Sequence, residues 1–162
     1  VLLSTTDPTI TPVIDLERLS SVLIRNIINN DATGEDSYSG GNAAARYITR
    51  RVTLNPGFEA KDMKVYLNAY CPGPSSIRVY YKVNAPGTTQ FDSDNKYVEM
   101  TNTFTSGDTR AGFAEFTFST ALGQCLPDGA DYSTFVVKIV MLSSDTTQVP
   151  IVRDLRVLAL DA

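Results

Sequence analysis

The chain has no histidine and no tryptophan among its 162 residues, and only two cysteines. Without histidine there is no Ser/His/Asp or Cys/His nucleophilic machinery, no imidazole metal ligand, and none of the commonest general base near neutral pH. Two cysteines are too few for a four-cysteine structural zinc site. Basic charge is also scarce: 14 Lys+Arg stand against 18 Asp+Glu, a formal net charge of −4. No Lys/Arg-rich run offers the counterion release that drives phosphate binding, so nucleic acid and anionic membranes are not expected partners. Every apolar stretch falls well short of the ~20 residues that cross a bilayer as a helix. The first residues, Val1-Leu2-Leu3-Ser4-Thr5-Thr6-Asp7, lack the charged n-region and apolar core of a secretion signal. The start without methionine suggests a fragment or processed product of a longer polypeptide.

What is present is a β pattern. At 162 residues, 43% of them hydrophobic, the chain has the length of one ordinary domain, burying about 70% of the surface its unfolded form exposes. From Ala43 onward apolar residues recur with period two, which places them on one face of a pleated strand. Met63, Val65, Leu67 and Ala69 alternate with Lys64, Tyr66, Asn68 and Tyr70. Ile77, Val79, Tyr81 and Val83 alternate with Arg78, Tyr80 and Lys82. Pro72-Gly73-Pro74-Ser75-Ser76 lies between the two runs and predicts a hairpin. Tyr47 to Leu54 predicts a strand with Ile48, Val52 and Leu54 on one side, ended by Asn55-Pro56-Gly57. Further strands are expected at Tyr97 to Met100, around Ala114, Phe116 and Phe118, and at Val152 to Leu160. Phe135 to Leu142 is apolar on both faces apart from Lys138, as befits a strand in the middle of a sheet. About seven strands separated by turn clusters predict an antiparallel β-sandwich over residues 12–162, with residues 1–11 an extended arm or linker.

Before Gly40 the pattern is ambiguous. Leu16, Leu19, Leu23 and Ile27 fit a helix, whereas Val22, Ile24 and Ile28 fit a strand from Ser20, and we prefer the strand. Asn29 to Asn42 reads as a long polar, acidic loop with Gly34, Gly40 and Gly41 as its pivots. A second loop runs from Asn84 to Lys96.

Carboxylates are the remaining acid–base resource, at Asp31/Glu35/Asp36, Asp92/Asp94 and Asp128/Asp131. Asp92-Ser93-Asp94-Asn95 resembles half of a calcium loop but lacks the later Gly and the bidentate Glu, so no metal or cofactor is expected. Solvated acids that cap their own turns are the preferred reading of all three clusters. An enzyme therefore ranks last. Arg46, Arg50 and Arg51 crowd one strand and are candidates to pair with the acids of the 31–36 loop. Glu115 and Asp154, isolated among apolar residues, are expected to face solvent or an arginine. Cys71 and Cys125 each sit beside a turn signal and are preferred as free thiols packed at strand ends, with a Cys71–Cys125 disulfide as the alternative.

Tyr66, Tyr70 and Tyr80, with Arg78 interleaved, are the candidate binding residues. A tyrosine-lined face suits a protein interface or stacking on sugar rings, because each ring joins an apolar body to a hydrogen-bonding tip. Coverage of that face by other parts of the same chain is the competing reading.

The string Gly40-Gly41-Asn42-Ala43-Ala44-Ala45-Arg46-Tyr47-Ile48-Thr49-Arg50-Arg51-Val52-Thr53-Leu54, with Gly57 to Leu67 and Ile77 to Val83 after it, resembles a module in virion structural proteins of contractile-tailed bacteriophages. Thr11-Pro12-Val13-Ile14-Asp15-Leu16 and the closing Pro150-Ile151-Val152-Arg153-Asp154-Leu155-Arg156-Val157-Leu158-Ala159-Leu160 share that resemblance, which covers residues 11 to 160. It implies a non-enzymatic tail or baseplate part, contacting other virion proteins or copies of itself, assembled in the host cytoplasm with reduced thiols. The run from Val136 to Leu160 is also similar to jelly-roll modules of the galactose-binding type. That second similarity implies the alternative, a host-adhesion module that binds surface glycan, although the exposed tryptophans many such modules use are missing.

Overall fold

The period-two runs become strands, and their apolar phases face each other across one core. The computed structural model describes residues 6, 9–15, 20–38, 40–88, 91, 96–102, 112–121 and 123–161. The strands are β1 (Ile10–Asp15), β2 (Ser20–Arg25), β3 (Ala45–Ile48), β4 (Val52–Thr53), β5 (Asp62–Tyr70), β6 (Ser75–Asn84), β7 (Val98–Glu99), β8 (Thr101–Asn102), β9 (Ala114–Ser119), β10 (Thr134–Ser143) and β11 (Ile151–Leu160). Among the described residues there is no helix, and every strand pairing is antiparallel.

Two sheets build the sandwich. One has the order β3-β10-β6-β7, with β4 also paired to β10; the other has the order β11-β5-β9-β8. The doubly apolar run is β10, flanked by β3 and β4 on one side and β6 on the other, as its composition requires. Met63, Val65, Leu67, Ala69, Phe116 and Phe118 from one sheet meet Val79, Tyr81, Val83, Phe135, Val137 and Ile139 from the other. Burying a side chain the size of Leu67 or Phe118 contributes roughly 1.5–3 kcal/mol. The two phenols nearest this core satisfy themselves on backbone, Tyr81 Oη donating to the Cys125 carbonyl and Tyr132 Oη to the Asp62 carbonyl, each at 3.0 Å.

Three expectations change. The Pro72-Gly73-Pro74 segment is not a hairpin turn: β5 and β6 lie in different sheets, and the segment arches between them. Alternation alone permits either pairing side by side or facing across a core. The prolines, which lack N–H groups, do not supply the tight turn that a hairpin uses. The Tyr47–Leu54 run breaks into β3 and β4 because Thr49 turns in to Val137, its amide donating to the Val137 carbonyl and its hydroxyl accepting from the Val137 amide. Ile48 consequently lies exposed, whereas Val52 and Leu54 pack against the core. The Tyr97–Met100 run holds only the two-residue β7; β8 follows it at Thr101–Asn102 in the other sheet, with buried Met100 at the crossing.

Ahead of the sandwich, β1 and β2 form a two-stranded sheet of their own, Ile10 opposite Arg25 and Asp15 opposite Ser20. The strand reading from Ser20 holds. The first strand takes in Ile10 and Thr11 from the expected arm. Leu16 and Leu19 lie outside the described residues. Asn26 ties the end of this hairpin to the sandwich, its side-chain amide donating to the Thr146 carbonyl at 2.7 Å.

Candidate functional site

The outward phases of the two sheets meet different fates. On the β10–β6 sheet, Tyr80, Lys82, Val136, Lys138, Val140 and Leu142 face away from the main core, yet all are buried. Ala32 and Glu35 from the long acidic loop, Ala43 just after it, Phe91 from the second loop and Tyr97 just after that loop cover them, forming a second core. The two loops are joined by the Tyr97 amide donating to the Asp36 carbonyl at 2.8 Å.

At the centre of this second core lies an ion pair. Lys138 Nζ is 3.0 Å from Glu35 Oε2, with side-chain exposures of 1% and 0%, and it also donates to the Glu35 carbonyl. Glu35 Oε1 accepts the Ala43 amide at 2.9 Å and stands 3.7 Å from Arg46 Nη1. The ammonium lies 4.2 Å from the Tyr97 ring centroid and 5.1 Å from that of Tyr80. Lys82 is lodged in the same way, 4.6 Å from Phe91 and 5.2 Å from Tyr97. Both lysines thus have anionic or π-face partners against the cost of burial. Gly41 makes room for the carboxylate: a Cβ there would stand 2.1 Å from Glu35 Oε1.

Glu35 is therefore not one of the solvated turn acids its neighbourhood suggests. Asp31 and Asp128 are. Asp31 accepts from the Thr33 amide at 2.9 Å and from Asn42 Nδ2 at 3.0 Å; the Thr33 side chain, then its amide, then Asn42 hold the carboxyl below the usual range. Asp128 accepts the Ala130 amide at 3.1 Å. Asp131 lies 3.9 Å from Lys61. Asp92 and Asp94 are outside the described residues. Among the described residues no group of three or more His, Cys, Asp or Glu is placed to hold a metal ion.

The four candidate binding residues separate. Tyr80 is 4% exposed, held under the loops by the second core. Arg78, on the same face but beyond the loops, pairs with Glu99 at 3.6 Å. Tyr66 and Tyr70 lie on the outer face of the opposite sheet, half-buried. Assigning β5 and β6 to one sheet made these four a single surface; the arch between them puts the pairs on opposite sides of the sandwich. Coverage by the chain itself is the outcome for Tyr80 and not for Tyr66 or Tyr70.

The outer face around Tyr66 and Tyr70 is laced by arginines. Arg156 from β11 reaches Glu115 on β9 and lies 5.4 Å from the Tyr66 ring. Arg153 sits 3.9 Å from the Phe113 ring, which itself contacts Tyr70 at 6.3 Å. Glu115 and Asp154 thus find an arginine, Asp154 Oδ2 lying 3.7 Å from Arg156 Nε.

Both cysteines are free. Cys71, at the end of β5, contacts Ser75, while burial and then the nearby Asp62 push the Cys125 thiol up to about 12. A thiol held that far above neutrality is a poor nucleophile.

Two clefts lie near the sheet ends. One of about 440 Å³ is lined by Tyr81, Lys96, Val98, Gln124, Cys125 and Leu126. The other, about 290 Å³, opens between the edges of the two sheets, lined by Tyr47, Ile139, Met141 and the Val152–Leu155 stretch of β11. Large apolar side chains that solvent reaches stand on the two edge strands that flank it, β3 and β11: Tyr47 at 54%, which lines the cleft, Ile48 at 51%, Ile151 at 48% and Leu158 at 46%. No composition signal marked this edge, because β11 reads as an ordinary apolar strand until its neighbours are known. Comparisons with protein-family models, with curated proteins and with solved structures find no match to this chain.

Proposed function

We propose that this chain is a non-enzymatic structural or interaction module, a jelly-roll-like sandwich that works through its surfaces in the tail or baseplate of a bacteriophage particle. The observation that carries the interaction reading is the contrast between the two sheets. One outer face is sealed by the chain's own loops, with Lys138 and Glu35 spent in holding them. The other sheet ends in a ten-residue strand, β11, which carries the exposed Ile151 and Leu158 and whose Val152–Leu155 stretch lines an apolar cleft. Among the described residues the outer edge of β11 is unpaired, and an open edge that also carries exposed apolar side chains is a ready template for a partner. The placement in a phage particle rests on the resemblance of the Gly40–Leu54 and Pro150–Leu160 strings.

The glycan reading is weaker on this geometry. Tyr80 is withdrawn into the second core, and guanidinium groups lie against Tyr66 and Phe113, where a sugar would stack. The test is mass spectrometry of purified particles from a phage that encodes this chain, with a glycan array run on the isolated protein. Recovery in particles without specific glycan binding supports the proposal. Absence from particles overturns the phage assignment, and glycan binding lost in Tyr66→Ala or Tyr70→Ala overturns the scaffold reading in favour of adhesion.

A further inference from the structure

The free edge of β11 is long and lightly guarded. Among the described residues no strand pairs with that edge, and the strand carries neither lysine nor proline, the residues that most often blunt an edge. Both of its arginines reach across the face of their own sheet, Arg156 to Glu115 and Arg153 to Phe113. An edge of this kind hydrogen-bonds an extended partner strand.

The backbone phase says which groups are on offer. The Leu160 carbonyl accepts from the Lys61 amide, so Leu160 turns its polar groups toward β5. By alternation along an antiparallel ladder, Leu158, Arg156 and Asp154 do the same, while Ala159, Val157 and Leu155 present theirs at the free edge. The register shift between Val152 and Asp154 moves the phase by one residue, so Val152 also presents its groups outward.

We propose that β11 pairs antiparallel with β11 of a second copy of this chain, about a two-fold axis at Leu155, joining the two four-stranded sheets into one of eight. The proposal rests on the interaction reading above and names the partner. In this register Leu155 meets Leu155 of the second copy, and Asp154 stands opposite its Arg156. Skipping the bulged Arg153, as β5 does, puts Val152 opposite Val157 and Ile151 opposite Leu158. Each match is consistent at every level. The hydrogen-bonding pairs, Leu155/Leu155 and Val152/Val157, join residues that both offer edge groups. The exposed Ile151 and Leu158 cover each other. Asp154 and Arg156 from the two copies form a ring of four alternating charges around the axis. A two-fold contact must be self-complementary, and charge selects this register. Centring on Asp154 opposes two carboxylates, centring on Arg156 opposes two guanidiniums, and centring on Val157 sets Asp154 against Leu160 and Arg156 against Leu158.

Sedimentation equilibrium of the whole chain, from micromolar to millimolar, tests this. A monomer–dimer equilibrium is expected. Asp154→Arg or Arg156→Asp alone should raise the dimer Kd about tenfold or more, since each turns two attractive cross-strand pairs repulsive. The combined swap should restore dimerisation; it is made with Glu115→Gln so that the new carboxylate at 156 meets no neighbouring acid. Circular dichroism verifies that each variant is folded. A chain that is monomeric at every concentration overturns the proposal, as does a dimer indifferent to Asp154→Arg or a swap that stays monomeric. A monomer still recovered in particles overturns the pairing alone; a dimer absent from particles overturns the phage assignment alone.

Discussion

Replacing Glu35 by Gln keeps the shape of the second core and removes one charge, leaving the Lys138 ammonium without its counterion. Breaking a buried pair by deleting one partner costs about 3–5 kcal/mol, because the remaining charge stays desolvated. Lys138 retains the Glu35 carbonyl and the rings of Tyr97 and Tyr80, which places the expected loss near the lower end, about 3 kcal/mol. At a urea m-value of roughly 2 kcal/mol/M, that moves the unfolding midpoint down by about 1.5 M. Lys138→Met should cost less, about 1–3 kcal/mol, because the stranded carboxylate keeps the Ala43 amide and stands near Arg46. The double variant should lose less than the sum of the two, with a coupling of about 1–3 kcal/mol. Urea unfolding of the four proteins at neutral pH gives the cycle. A loss under 1 kcal/mol for Glu35→Gln, or strict additivity, would refute the view that this pair holds the loop onto the sheet.

Gly41→Ala should be among the most destabilising single changes, a loss of several kcal/mol, because φ is +149° there and the new methyl meets the Glu35 carboxylate. In a Glu35→Ala background its cost should shrink, as paired melts would show. Thiol labelling at pH 8 should modify half-buried Cys71 well before Cys125, whose thiol is pushed up to about 12; equal rates would contradict the burial. The same burial raises Tyr81 to about 12 and Tyr132 as well. The folded state then holds protons that the unfolded chain releases, so these groups' stabilisation is full below about pH 9 and is lost as pH rises toward 12. Urea midpoints that stay flat from pH 9 to 12 would contradict this.

The sandwich was legible because period two is written into Met63–Tyr70, Ile77–Val83 and Ala114–Ser119, and the central position of β10 because Phe135–Leu142 is apolar in both phases. The arch between β5 and β6 was not legible: alternating strands joined by four residues, Cys71 to Pro74, satisfy local rules in one sheet or in two, and only the core decides. That choice in turn scattered Tyr66, Tyr70, Tyr80 and Arg78. The second core left a trace in the sequence. Lys138 stands alone in an apolar strand and needs an anion, and Glu35 is the one glutamate in a loop whose Gly40-Gly41 follows closely. The pairing joins residues 103 positions apart, a distance no local pattern spans. The edge role of β11 depends on sheet order and could not be read from its own residues.

Residue-resolved amide hydrogen exchange, run at low and high protein concentration, tests the surface account most directly. The amides of Arg156, Leu158 and Leu160, turned toward β5, should be protected at both concentrations. Those of Val152, Leu155 and Val157 should exchange freely in the dilute protein and slow by tenfold or more when concentrated. Equal exchange of Val152, Leu155 and Val157 at both concentrations would contradict β11 as the contact surface.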